Sequence, residues 1–204
     1  MKSLMHHEYV SIGSQNSTYR IILLHGWGAD EEDLLPIGKA IILDLGYDFE
    51  LISLKAPTQC PNNLGRQWYS LFPPNWDEAE IAVDKLFQTL KEFDNNEISL
   101  KKTILLGFSQ GAAMAINAGF RLDLGLVISC SGYPHPRWDP LKDNPVLISH
   151  GSQDNVVPVD ASREIAIQLK NNQISDCKLY EYDCSHSIHS DFVEVIRSKI
   201  KELF

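Results

Sequence analysis

Short apolar runs alternate along the chain with longer segments in which apolar residues recur every three or four positions. Residues 20–24 (RIILL), 49–54 (FELISL), 103–106 (TILL), 126–129 (LVIS) and 146–149 (VLIS) are almost continuously apolar, the pattern of strands buried on both faces. Residues 177–182 form a sixth candidate, and residues 8–12 a weaker edge strand. Between the runs, Ala79, Val83, Leu86, Leu90 and Phe93 line up on one helical face; Ala161, Ile165 and Leu169 form a second stripe, and Phe192, Ile196 and Ile200 a third. Asp33 is placed to cap a helix running to about Leu45, with Pro36 tolerated in its first turn. Strand–helix alternation predicts an α/β domain, a mostly parallel sheet covered by helices on both faces. With no internal repeat, low-complexity stretch or linker, residues 1–204 read as one domain.

Composition narrows the function. Of the 204 residues, 44% are hydrophobic and 22% charged, ordinary for a globular chain that folds without staples. The formal net charge of −9 and the lack of any basic run argue against nucleic acid as a partner. No apolar run approaches the length of a membrane-spanning helix, and MKSLMHHEYVSIGSQ lacks the apolar stretch of a signal peptide, so no integral membrane association and a cytoplasmic location are expected. Cys60, Cys130, Cys177 and Cys184 show no metal-ligand spacing and are expected to be free thiols.

In parallel sheets of this kind, active sites form at the carboxyl ends of the strands. There the run TILL leads into Gly107-Phe108-Ser109-Gln110-Gly111, a G-x-S-x-G pattern between a strand and a helix of small residues, QGAAMAINAG. Ser109 is the candidate nucleophile, and a serine hydroxyl needs a base and an orienting carboxylate. Both should follow it, in the order Ser, Asp, His. Asp154 lies just beyond the strand at 146–149, 45 residues after Ser109. Asp143 precedes that strand, at its wrong end, and Asp160 falls in the next helix. His186 follows the strand at 177–182 and is the candidate base; His189 falls where the last helix begins. His25 and His150 end strands directly and read as buried, hydrogen-bonded residues that shape their turns. For an oxyanion hole, one donor should be the amide of Gln110, and the other an amide after the strand at 20–24, with Trp27 the candidate.

Together these pieces resemble the phospholipase/carboxylesterase family of α/β hydrolases, which includes acyl-protein thioesterases and small bacterial carboxylesterases. The resemblance spans nearly the whole chain, through LLHGWGADEEDL (23–34), KAPTQCPNNLGRQWYSLF (55–72), LLGFSQGAAMA (105–115), HGSQDNVVPV (150–159) and SHSI (185–188). It implies an α/β-hydrolase fold without a large cap domain and a Ser109–His186–Asp154 triad. Trp27 and Gln110 are its implied oxyanion donors, and no metal or organic cofactor is implied. Implied substrates are small-molecule or lipid esters, with thioesters and lysophospholipids among them. Arg66, Gln67 and Trp68 fall in the segment resembling the family's pocket-lining loop and are expected to bind substrate. Ala112 stands where the family often has a second glycine, and Trp27 where leucine is common, so its indole is expected to narrow the acyl site. Acyl transfer, lactone opening or a catalytically idle binding module on the same fold are the alternatives. The oligomeric state stays open, a homodimer included.

Overall fold

Six parallel strands make the centre of the structure, and each begins within one residue of its apolar run. In the computed structural model, which describes residues 1–4, 6–13, 16–61, 64–94 and 97–204, the elements follow as β1 (Lys2–Ser3), β2 (Glu8–Ile12), β3 (Tyr19–Leu24), α1 (Leu35–Ile42), β4 (Phe49–Leu54), β5 (Thr58–Gln59), β6 (Arg66–Gln67) and α2 (Trp76–Glu92). The second half contributes β7 (Thr103–Phe108), α3 (Gln110–Gly119), β8 (Leu126–Cys130), β9 (Val146–Gly151), α4 (Asp160–Asn171), β10 (Cys177–Tyr182) and α5 (Ser190–Leu203). The main sheet has the order β1-β2-β4-β3-β7-β8-β9-β10, and β2 runs antiparallel to both of its neighbours. Residues 131–145, between β8 and β9, hold no helix or strand, so no cap domain rises there.

The continuous apolar runs follow from burial on both faces. Along β3, Ile21 and Leu23 enter one core beneath α1 and α5, whereas Ile22 and Leu24 enter the other beneath α2, α3 and α4. All four are fully buried, so truncating one to alanine would cost about 2–5 kcal/mol. The α2 stripe of Ala79, Val83, Leu86 and Leu90 faces the second core, and Asn75 caps that helix by accepting from the Glu78 amide.

Two helices depart from the sequence reading. Asp33 does not cap α1: its amide donates to the Asp30 carbonyl within a turn, and Leu34 caps the helix without a side-chain bond. The helix also ends at Ile42 rather than near Leu45, and Asp44 adopts a left-handed φ of 55°. On α4 the buried position is Ser162 rather than the half-buried Ala161, because the Ser162 hydroxyl reaches His150 2.6 Å away. The two-residue strands β1, β5 and β6 are too short to carry a period.

Two buried histidines sit outside the sheet's apolar cores. His7 lies 2.7 Å from the Thr89 hydroxyl, and since that hydroxyl donates to the Lys85 carbonyl, the His7 Nδ1–H donates to Thr89. His135 Nε2 meets the Tyr69 hydroxyl at 2.9 Å. Burial, aided for His7 by His6 and Lys85, lowers each to about 4 from the ordinary 6.5. Between those values the unfolded chain binds protons that the folded chain refuses, so stability is whole above pH 6.5 and declines as pH falls towards 4. The slope is about 1.4 kcal/mol per histidine per pH unit. Urea titrations at pH 7 and pH 4.5 should therefore show a drop of several kcal/mol. The double variant His7→Asn/His135→Asn should flatten much of it, and an unchanged slope would refute this origin.

Candidate active site

The turn after β7 is bent by the close approach of two backbones. A Cβ on Gly111 would stand 2.0 Å from the Leu24 carbonyl oxygen, and one on Gly107 would stand 2.2 Å from that of Gly111. Only glycines let α3 sit this tightly on the carboxyl end of β3. Between them Ser109 is held at φ 54°, ψ −118°, a strained conformation costing about 1–3 kcal/mol. Its amide donates to the Cys130 carbonyl (2.8 Å), and every residue of α3 behind it is buried. The side chain therefore projects at the mouth of the sheet, over the positive end of a helix.

Ser109 Oγ lies 3.0 Å from His186 Nε2, and His186 Nδ1 lies 2.6 Å from Asp154 Oδ2. A carboxylate only accepts, so Nδ1 carries the proton and Nε2 is left to accept from the serine hydroxyl. The Phe108 ring packs against the imidazole, centroid to centroid 4.8 Å. Asp154 follows β9, and its other oxygen accepts from the Val156 and Val157 amides at 2.8 and 2.9 Å. Burial pushes its carboxyl upward, but the His186 bond and the two amides more than offset this, so it sits below the usual carboxylate range. His150 stands behind it. Its Nε2–H donates to the Val157 carbonyl at 2.8 Å and comes within 3.2 Å of Asp154 Oδ2, while Nδ1 accepts from Ser162. The competing residues have other places. Asp143 accepts from the Ser175 amide at the far end of the sheet, Asp160 opens α4 beside Arg163, and His189 caps α5.

Across the nucleophile lies the turn after β3. His25 Nδ1–H donates to the Gly26 carbonyl (2.8 Å) and Nε2 accepts from the Ala56 amide (3.2 Å), with burial lowering its pKa and favouring this neutral form. The Gly26 backbone abuts the nucleophile, since a Cβ built there would lie 3.3 Å from Ser109 Cβ. The Gln110 amide follows the serine directly in the chain, and among the described residues neither it nor the Trp27 amide donates to a backbone carbonyl.

Arg66, Gln67 and Trp68 brace this turn from behind. Arg66 exchanges backbone bonds with Gly28 and Ala29, and its guanidinium donates to the Ala56 and Pro57 carbonyls. Gln67 accepts from the Trp27 indole at 2.9 Å. Trp68, 1% exposed, donates its own indole N–H to the His25 carbonyl. The Gln110 side chain completes the brace, accepting from the Trp68 amide and donating to the Tyr69 carbonyl. The residues expected to touch substrate are thus fastened to the turn after β3. Sequence patterning carries no signal for this brace, nor for the linked hydroxyls of Tyr69 and Tyr133, 2.7 Å apart. Phe72, 71% exposed, meets the Trp27 ring edge-to-face. Among the described residues no three His, Cys, Asp or Glu side chains are grouped to hold a metal ion, and no helix is long and apolar enough to cross a membrane.

Comparison with known proteins agrees with this architecture. The chain is 28% identical to esterase PE8, whose crystal structure superposes with a TM-score of 0.87 over 98% of this chain and 100% of that one. Acyl-protein thioesterase 1 of Saccharomyces cerevisiae is 26% identical over 92% of this chain and 94% of its own length. The match to acyl-protein thioesterase 1 of Debaryomyces hansenii, also 26% identical, covers 56% of this chain and only 57% of that protein. The family model described as Phospholipase/Carboxylesterase matches residues 5–204. With nearly every residue inside that match and the sheet, elbow and loops arranged as described, the chain belongs to the phospholipase/carboxylesterase family.

Proposed function

We propose that this protein hydrolyses carboxylic esters and thioesters through an acyl-enzyme formed on Ser109. The observation that carries the reading is the unbroken chain from Ser109 Oγ through His186 to Asp154, at 3.0 and 2.6 Å. In the first half-reaction His186 Nε2 takes the hydroxyl proton as Oγ attacks the carbonyl carbon. Asp154 holds the Nδ1–H tautomer and stabilises the imidazolium, and the Trp27 and Gln110 amides receive the negative oxygen. His186 then returns its proton to the departing alcohol or thiol as the carbon–oxygen or carbon–sulfur bond breaks. Water, deprotonated by the same imidazole, releases the acid and restores Ser109. Thioesters enter the proposal through the relatives named acyl-protein thioesterases.

The relay depends on how two loops meet. The Ser152 amide donates to the Tyr182 carbonyl at 2.7 Å, the Gln153 amide to that of Cys184 at 3.1 Å, and the Gln153 side chain to Asp183. These bonds continue the β9–β10 pairing past the strand ends, so the acid and histidine loops lie backbone on backbone. A Cβ on Gly151 would meet the Ser185 and Cys184 carbonyl oxygens at 2.2 and 2.3 Å.

Ser109→Ala should remove nearly all ester turnover and all labelling by a fluorophosphonate, with the thermal melt intact; wild-type turnover by this variant would end the proposal. Gly151→Ala, by forcing the two loops apart, should lower kcat/KM about 10²-fold, the scale of an ångström-sized misplacement. Unaltered kinetics in a correctly folded Gly151→Ala protein would show that this contact does not set the relay.

A further inference from the structure

This inference rests on the hydrolase reading and concerns which half of the substrate lies where. The surroundings of Ser109 and His186 differ on the two faces of the sheet. On the side of the α2–α3 core are Gln110, Trp68 and Tyr69, the last two fully buried and tied to Gln110 by hydrogen bonds. On the side of the α1–α5 core an open cleft of about 260 Å³ runs from His186 along Leu34, Ile37, Phe108 and Ile188. Phe108 forms part of its wall and packs on the imidazole, so the cleft begins at the ring that moves the proton.

Proton delivery assigns this space. When the tetrahedral adduct collapses, the leaving oxygen or sulfur must lie within hydrogen-bond reach of His186 Nε2. In the proposed mechanism the carbonyl oxygen of the same adduct is held by the Gln110 and Trp27 amides. The substituent on the leaving atom therefore extends past His186, which also lines this cleft. Its volume falls just under that of sites for drug-sized ligands, about 300–1,000 Å³, and suits an aryl or short alkyl group.

The charge around the cleft is one-sided. Asp33 stands at its margin, Asp30 and Glu32 are exposed on the same turn, and Asp191 is exposed just beyond Ile188. Among the described residues no lysine or arginine lines it. We propose that the cleft formed by Leu34, Ile37, Phe108 and Ile188 beside His186 receives the alcohol or thiol half of the substrate and favours uncharged, apolar leaving groups over phosphate-bearing ones. Aliphatic contact supplies the attraction, and the acidic turn repels anions. Lysophospholipids and other substrates that leave as phosphate-bearing alcohols are thereby disfavoured.

The test fixes the acyl group and varies the alcohol. Methyl, benzyl and 2-phosphooxyethyl butanoates should rank benzyl first and the phosphate ester last. The benzyl-to-methyl ratio of kcat/KM should be about tenfold or more, the low end for one well-placed apolar group. Ile37→Asn makes the cleft polar and Ile37→Trp fills it; each should cut the benzyl-to-methyl ratio about tenfold. The hexanoate-to-acetate ratio among methyl esters should hold, because the acyl half lies elsewhere. A wild-type benzyl-to-methyl ratio near one, faster turnover of the phosphate ester, or Ile37 variants that shift the hexanoate-to-acetate ratio instead would overturn the assignment. If the wild-type protein hydrolyses none of these esters and takes no fluorophosphonate label, the hydrolase reading fails and the cleft assignment falls with it.

Discussion

The Gly111 backbone rests against the Leu24 carbonyl with no room for a single carbon between them. That contact holds the amino end of α3 at the end of β3, and the rest of the site is arranged around it. It brings the turn after β3 within reach of the nucleophile, and it obliges the chain between β7 and α3 to turn sharply at Ser109. The strain at that residue persists because the surroundings outweigh it: α3 is buried along its entire length, and the Ser109 amide is bonded to the neighbouring strand. Burial of one large apolar side chain contributes about 1.5–3 kcal/mol, so a few residues of this core offset the local cost.

Around that fixed point, polar groups are satisfied in pairs of opposite duty. Gln110 opens α3 directly after Ser109 while its side chain ties down Trp68 and Tyr69. Asp154 turns one oxygen to His186 and the other to two amides of its own loop. Each such residue joins the reacting edge to the framework behind it, leaving few independent motions by which the geometry could drift. Buried polar groups made this way are costly to leave unpaired, which favours one arrangement over its near neighbours.

The legible parts of this architecture were those with a strong local signal. The strand runs at residues 20–24 and 49–54 stand out because both faces are buried, and Ser109, Asp154 and His186 stand out because each follows a strand at the same edge. The start of α1 was obscured because Asp30 to Leu34 form a turn rich in side chains that also cap helices. Arg66, Gln67 and Trp68 show the deeper limit. Their proximity to the site could be read from the motif, but the direction of their side chains depends on Ala56, Trp27 and His25, contributed by other parts of the chain. Likewise the shift from Ala161 to Ser162 depends on a bond to His150, which no helical period encodes.

The nucleophile and the imidazole are 77 positions apart, and the imidazole follows β10, the edge strand next to last in the chain's order of elements. The strained elbow is built from β3, β7 and α3, whereas His186 is carried to it by β10 on β9. The β9–β10 pairing sets Cys177 opposite Val146, a short closure, whereas β3 and β7 set Arg20 opposite Thr103, so the elbow carries the longer loop and the histidine strand adds by a local step. A chain in which that edge strand has peeled away would keep the serine turn without the imidazole proposed to activate it. Under the proposed mechanism, competence needs the sheet complete out to its edge: it requires β10 seated on β9 and is lost if that edge strand separates.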